Sequence, residues 1–204
     1  MKLFPGQLSS LEQKELLSQL VEAIDQAPFF VPRMPRTGKA FSVRMTNLGP
    51  LGWVADKDGG YRYQPTHPET GQNWPQMPQK VLDLWADLTQ CPVPPEACLV
   101  NYYVTSAKMG LHQDRDEETF EAPVMSISLG DRARFRLGGQ TRKDKTSSFE
   151  LSSGDIILLQ GESRLAYHGI DRVLPQSSPL LSAYPAHFPE GGRINLTLRR
   201  VTAF

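Results

Sequence analysis

One segment near the C-terminal side of the chain constrains its fold more than any other. In Arg193-Ile194-Asn195-Leu196-Thr197-Leu198-Arg199 aliphatic residues alternate strictly with polar or cationic ones. Successive side chains on a strand point to opposite faces. Ile194, Leu196 and Leu198 therefore share one face, and Arg193, Asn195, Thr197 and Arg199 the other. The apolar face needs a core. The polar face is either wet, as on an edge strand, or turned into a polar interior where two guanidiniums meet a dianionic ligand. An arginine fork suits carboxylates.

Similar short runs recur from residue 98 onward, at 98–104, 123–130, 133–137, 155–160, 165–169 and 193–201, with Ser153-Gly154-Asp155 as a turn. Many short strands in one region predict a sandwich or barrel. Ser9 followed by Glu12 has the form of a capping box and opens a helix with Leu16, Leu17, Leu20 and Ile24 on one side. A second helix is expected from Pro78, with Val81, Leu84, Trp85 and Leu88 on its buried stripe. Residues 27 to 77, rich in Pro, Gly and aromatics, predict short strands and long loops. The expected architecture is mainly β with flanking helices (α+β), the two helices packed on one outer face of the β unit. Its 204 residues suit one domain: about 1–90 as an N-terminal region and 91–204 as the β core.

Composition excludes little. Hydrophobic and charged fractions of 39% and 22% are those of an ordinary globular protein, with no apolar run long enough to cross a membrane. Cytoplasm is the expected compartment, and Cys91 and Cys98, lacking CxxC spacing, are expected to be reduced thiols. The 22 basic and 22 acidic residues balance, so global charge does not point to nucleic acid. Locally, Arg33 to Arg44 contains no acid, and Arg132, Arg134, Arg136, Arg142, Lys143 and Lys145 form a second basic stretch. Each is either a solvated face or a phosphate-contacting patch.

The chemistry is carried by His112-Gln113-Asp114 and by His168, more than fifty residues later. Two residues apart on extended chain, His112 and Asp114 can present an imidazole and a carboxylate to one point. A histidine from a distant strand would complete two nitrogens and one carboxylate oxygen on one face of a metal, leaving open positions as in non-haem iron(II) oxygenases. An HxD triplet alone is weak evidence and often marks a surface histidine near acids. His187, in a Pro-rich segment, and His67, in a Pro-flanked turn, are poorer ligand candidates. Asn101 and Tyr103 share a strand face and could bond the same ligand as the arginines.

Taken in order, Asn101-x-Tyr103, Lys108, Leu111-His112-Gln113-Asp114-Arg115-Asp116-Glu117, Ser126-Ile127-Ser128-Leu129-Gly130, Gly161-Glu162-Ser163-Arg164, Tyr167-His168-Gly169 and Arg193-x-Asn195-Leu196-Thr197-x-Arg199 resemble the AlkB family. The resemblance spans about residues 40 to 200. It implies a double-stranded β-helix (jelly-roll) core with N-terminal helices and a nucleotide-recognition lid, and an oxidative DNA demethylase that uses iron(II), 2-oxoglutarate and O2. By that resemblance His112, Asp114 and His168 hold iron. Arg199 takes the distal carboxylate of 2-oxoglutarate, and Asn101, Tyr103, Arg193 and Asn195 take its other oxygens. Trp53 and Tyr61 resemble the base-stacking aromatic and the lid tyrosine, Asp116 the acid that reads an exocyclic amine, and Arg142 a substrate-contacting arginine. The implied partner is alkylated DNA or RNA, single-stranded or with the base flipped, and the implied state a monomer. Gly59-Gly60 in the lid and the segment from Leu180 to Gly192 depart from the family pattern. Competing expectations are a 2-oxoglutarate-dependent hydroxylase of a protein or small molecule, a metal-free β-barrel binding module, and a zinc hydrolase.

Overall fold

The computed structural model describes residues 1–204. Helix α1 (Ser10–Gln26) begins where the sequence predicts, because Ser9 and Glu12 close a reciprocal cap. The Glu12 amide donates to Ser9 Oγ at 3.3 Å, and the Ser9 amide donates to Glu12 Oε2 at 2.8 Å. Helix α2 (Gln79–Thr89) follows Pro78 and ends on Gln90, which takes a left-handed conformation at φ 56°.

The chain has twelve strands. The larger sheet contains β1 (Lys2–Phe4), β2 (Arg44–Leu48), β5 (Ala97–Tyr103), β7 (Val124–Gly130), β10 (Ile156–Leu159) and β12 (Arg193–Arg199), in the order β1-β10-β7-β12-β5-β2. The smaller contains β6 (Met109–His112), β8 (Arg132–Leu137), β9 (Ser147–Leu151) and β11 (His168–Leu174), in the order β6-β11-β8-β9. A separate hairpin pairs β3 (Gly52–Asp56) with β4 (Gly60–Gln64). Neighbouring strands are antiparallel throughout.

β12 is hydrogen-bonded on both sides, to β5 and β7, so it is a central strand and not a wet edge. Its two faces belong to different environments. Ile194, Leu196 and Leu198 join Leu16, Leu17, Leu20, Val81, Leu84 and Trp85 in a core between the larger sheet and both helices. A second core, including Leu99, Phe135, Ile157, Leu159 and Ile170, fills the space between the sheets. The helices thus pack on one outer face, leaving the inner faces to build the site.

Three expectations differ in detail. The strand anticipated at 165–169 runs instead from His168 to Leu174. Residues before it turn, with the Arg164 amide bonded to the Gly161 carbonyl and that of Ala166 to Ser163. Strands β1, β6 and β9 lie outside the expected runs: β1 and β6 are three and four residues long, and β9 is a partly exposed edge without clean alternation. The N-terminal region is woven into the core, since β1 and β2 supply both edges of the larger sheet. Cys98 is buried, Cys91 is partly so, and both are free thiols. No helix is long and apolar enough to cross a membrane.

Candidate active site

Strand pairing assembles the metal-ligand set. On β11, His168 lies directly opposite His112 of β6, and Asp114 follows two residues beyond His112. The two imidazole centroids are 4.5 Å apart. Asp114 Oδ1 is 3.6 Å from His112 Nε2, and Oδ2 is 3.6 Å from His168 Nε2. One ligand atom from each residue falls within 4.8 Å of the others.

Three features fit this set to a cation. The Nδ1 of His112 lies 2.9 Å from the Gly110 carbonyl, and that of His168 lies 3.0 Å from the Ala166 carbonyl. Bonds of this kind fix Nδ1 as the donor and leave Nε2 with its lone pair free. Asp114 is buried, and its Oδ2 has no hydrogen-bond partner. Unpaired buried oxygens are costly, and a metal would satisfy this one. Burial and the neighbouring His112 push the His168 imidazole down to about 4, so at neutral pH it is neutral, the form a metal ligand requires. Burial alone would raise Asp114, but the Arg199 guanidinium, the imidazoles and Arg164 outweigh it and hold the carboxyl well below its usual range.

Deeper in the same cavity, β12 and β5 present their polar faces together. Asn195 pairs with Asn101, and Arg193 with Tyr103, directly across the strands. Asn101 Nδ2 donates to Asn195 Oδ1 at 3.2 Å, and Asn195 Nδ2 donates to Ser126 Oγ at 2.6 Å. Asn101 Oδ1 and Arg193 Nε are buried without partners. Arg193 is fully buried, donates to Ser128 Oγ at 2.7 Å and has no carboxylate in an ion pair with it. Burial pushes it down to about 10 despite nearby Tyr103 and Asp155.

Arg199 is placed differently. Its Nη2 donates to Asp114 Oδ1 at 2.7 Å, while Nη1 donates to Tyr63 Oη at 2.8 Å and Glu117 Oε1 at 3.2 Å. These partners raise its pKa against the opposing effect of burial. Arg199 is thus charge-paired beside the metal-ligand carboxylate, and it keeps its Nε, like that of Arg193, buried without a partner in the same cavity. By occupying Oδ1 it leaves Asp114 a single free oxygen.

The mouth of the cavity is aromatic. Trp53 and Tyr61 on the β3–β4 hairpin stack at 5.5 Å and 19°, Tyr61 half-exposed and Trp53 buried. The Trp53 indole N–H donates to Asp116 Oδ2 at 2.8 Å. All twelve residues singled out from sequence line one cavity of about 550 Å³: Trp53, Tyr61, Asn101, Tyr103, His112, Asp114, Asp116, Arg142, His168, Arg193, Asn195 and Arg199.

The family model described as the 2OG-Fe(II) oxygenase superfamily matches residues 1–199. The chain belongs to that superfamily. Within it, the chain is an AlkB homologue. It is 53% identical to an alpha-ketoglutarate-dependent dioxygenase AlkB homolog of Caulobacter vibrioides, over 97% of this chain and 86% of that one. Over 52% of its length it is 37% identical to an Arabidopsis thaliana protein, DNA N(6)-methyladenine demethylase ALKBH1D, of which it covers 24%. The solved structure of OsALKBH1 superposes with a TM-score of 0.79 at 31% identity, covering 98% of this chain and 97% of that one. The two facing sheets are thus the double-stranded β-helix of this AlkB homologue. The protein is an iron(II)- and 2-oxoglutarate-dependent dioxygenase with O2 as cosubstrate.

The other histidines of the AlkB homologue lie outside the cavity. His67 is buried, with Nε2 2.8 Å from the Pro28 carbonyl and Nδ1 accepting from the Glu69 and Thr70 amides. His187 pairs with Asp25 at 2.8 Å, and its neighbour Phe188 packs on Tyr102, so the 180–192 segment braces α1 instead of reaching the site. Of the second basic stretch, Arg132 is paired with Glu150 at 3.0 Å, while Arg142 reaches the cavity. Sequence reasoning assigned no role to Tyr63, Glu117 or Arg164. Glu117 and Arg164 lay inside the family-like segments, but only the tertiary fold shows that they meet at 3.1 Å behind Asp114.

Proposed function

We propose that the protein removes alkyl groups from ring nitrogens of nucleic-acid bases, in DNA or RNA, as a direct-reversal repair enzyme. The observation that carries this reading is the pairing of Trp53 with Asp116 at 2.8 Å at the mouth of the metal-ligand cavity. An aromatic surface takes the flat face of a base, at about 1–3 kcal/mol per stacked base. A carboxylate beside it accepts from an exocyclic amine and favours the positive charge of an alkylated ring over a neutral base.

In this reading His112, Asp114 and His168 hold iron. Arg193 and Tyr103, at the deep end, take the distal carboxylate of 2-oxoglutarate, because Arg193 is the guanidinium without a carboxylate of its own. Asn101, with its free Oδ1 and Nδ2 donor, and Asn195 order the remaining oxygens. Arg199, bonded to Asp114 Oδ1, would orient the carboxylate so that its unpartnered Oδ2 is the oxygen offered to the metal. When bound, the iron centre couples decarboxylation of 2-oxoglutarate to succinate and CO2 with hydroxylation of the alkyl carbon. A hydroxyalkyl group on a ring nitrogen is unstable and leaves as an aldehyde, restoring the base. The base must be flipped or single-stranded, since an atom within a duplex stack cannot enter the cavity. Residues 1–204 act as one catalytic domain, with the β3–β4 hairpin as lid and Arg142 at its rim.

The test is mass spectrometry of N-methylated and normal oligonucleotides incubated with iron(II) and 2-oxoglutarate. Methyl loss matched by succinate supports the proposal. Succinate release that no oligonucleotide stimulates, with every methyl group retained, would move the substrate to a protein or small molecule.

A further inference from the structure

The aromatic hairpin touches the metal-ligand segment at two adjacent points. Trp53 and Tyr63 are direct cross-strand partners on β3 and β4. The Trp53 indole bonds Asp116, and Tyr63 Oη donates to Glu117 Oε1 at 2.5 Å. Beyond Glu117 the network turns inward. Its Oε1 also accepts from Arg199 Nη1 at 3.2 Å, and its Oε2 accepts from Arg164 Nη2 at 3.1 Å. Both guanidiniums then return to Asp114. Arg199 Nη2 holds the side-chain Oδ1 at 2.7 Å, and Arg164 Nη1 holds the backbone carbonyl at 2.7 Å.

The metal carboxylate is thus fixed at side chain and backbone by two cations that converge on one fully buried acid. Asp114 and Glu117 balance Arg164 and Arg199 in charge, so each member depends on the others. Tyr63 is the only part of this cluster carried by the hairpin. A phenylalanine there would fill the same space; what the hydroxyl adds is its pair of bonds, to Glu117 and from Arg199.

We propose that Tyr63 and Glu117 are positioning residues that couple seating of the aromatic hairpin to the orientation of Asp114. A substrate that settles the hairpin thereby settles the metal ligand. The coupling itself rests only on the residues above; that the substrate is a base rests on the function proposed above. Coupling free energy is reciprocal. If a docked hairpin improves the metal site, metal binding must steady the hairpin by the same factor, with no turnover required.

Amide hydrogen exchange across Gly52–Gln64, with and without manganese(II) plus 2-oxoglutarate, reads this directly. In the parent protein, exchange in the hairpin should slow by about five- to tenfold on metal binding, within the range usual for coupled sites. In Tyr63→Phe the slowing should fall to about twofold or less. Trp53→Phe, which removes the indole tie to Asp116 and keeps an aromatic ring against Tyr61, should retain it. Equal slowing in the parent and Tyr63→Phe overturns the proposal, as does loss in both variants, which would mean general loosening. Metal-independent exchange in the parent overturns it whatever the variants do. A parallel anaerobic titration with iron(II) and 2-oxoglutarate separates the two failures. A visible charge-transfer band with an unresponsive hairpin removes the coupling alone, whereas no band at all removes the assignment of the metal and diacid site on which the function above rests.

Discussion

Arg193 and Arg199 are the same side chain on the same face of one strand, yet their surroundings give them different work. Arg199 sits among Asp114, Glu117 and Tyr63, while Arg193 is fully buried with only hydroxyl and carbonyl partners. A buried charge without an opposite charge costs stability unless a ligand supplies one. Replacing Arg193 by Met should therefore raise the KM for 2-oxoglutarate by about tenfold or more, the worth of a lost charge-assisted hydrogen bond. It should leave manganese(II) affinity, measured by calorimetry, nearly unchanged. Arg199→Met should do the reverse, weakening metal binding more than diacid binding. A second consequence at this scale concerns pH. His168 is pushed from 6.5 down to about 4 in the folded protein. As pH falls through that interval the unfolded chain takes up a proton that the folded chain resists, so the metal-free protein loses stability. The loss should be on the order of 3 kcal/mol across the interval, and His168→Gln should flatten the slope in thermal melts taken with chelator.

At the scale of elements, legibility tracked how much a local pattern alone could specify. The capping box placed the start of α1 at the correct residue because the bonds that cap it are three residues apart. The alternation of β12 named both its faces correctly, but not its neighbours, since pairing to β5 and β7 is decided by distant sequence. β9 was missed because its exposed edge position demands no periodic pattern, and the start of β11 was misplaced because a short turn precedes it. The site followed the same rule. Residues with distinctive chemistry at fixed spacing were found, whereas Tyr63 became visible only when β4 brought it to Glu117. As β12 separates the helix-side core from the cavity, Leu196→Ala should cost about 2–5 kcal/mol in urea unfolding, while ligand affinity per folded molecule changes little.

For the whole molecule, binding and stability are one equilibrium. The ligand set joins β6 to β11 in the smaller sheet, and the arginine and asparagine face belongs to β12 and β5 in the larger. A metal and diacid held between them would tie the two sheets together. At about a hundred times its dissociation constant such a ligand adds about 2.7 kcal/mol. For a protein of this size that corresponds to a rise in Tm of about 5–10 °C. Calorimetric melts with manganese(II) and 2-oxoglutarate should show this rise, and His112→Ala should abolish it.

The position of β12 also bears on how the protein is made. It follows every strand it joins in chain order, yet it lies near the middle of the larger sheet, with β5 and β2 on one side and β7, β10 and β1 on the other. During synthesis, the two halves of that sheet emerge with a gap between them and wait for the strand that closes it. The open edges of β5 and β7 are exposed to mispairing during that interval. A nascent chain arrested before Arg193 should therefore depend on chaperones to a degree that the finished protein does not.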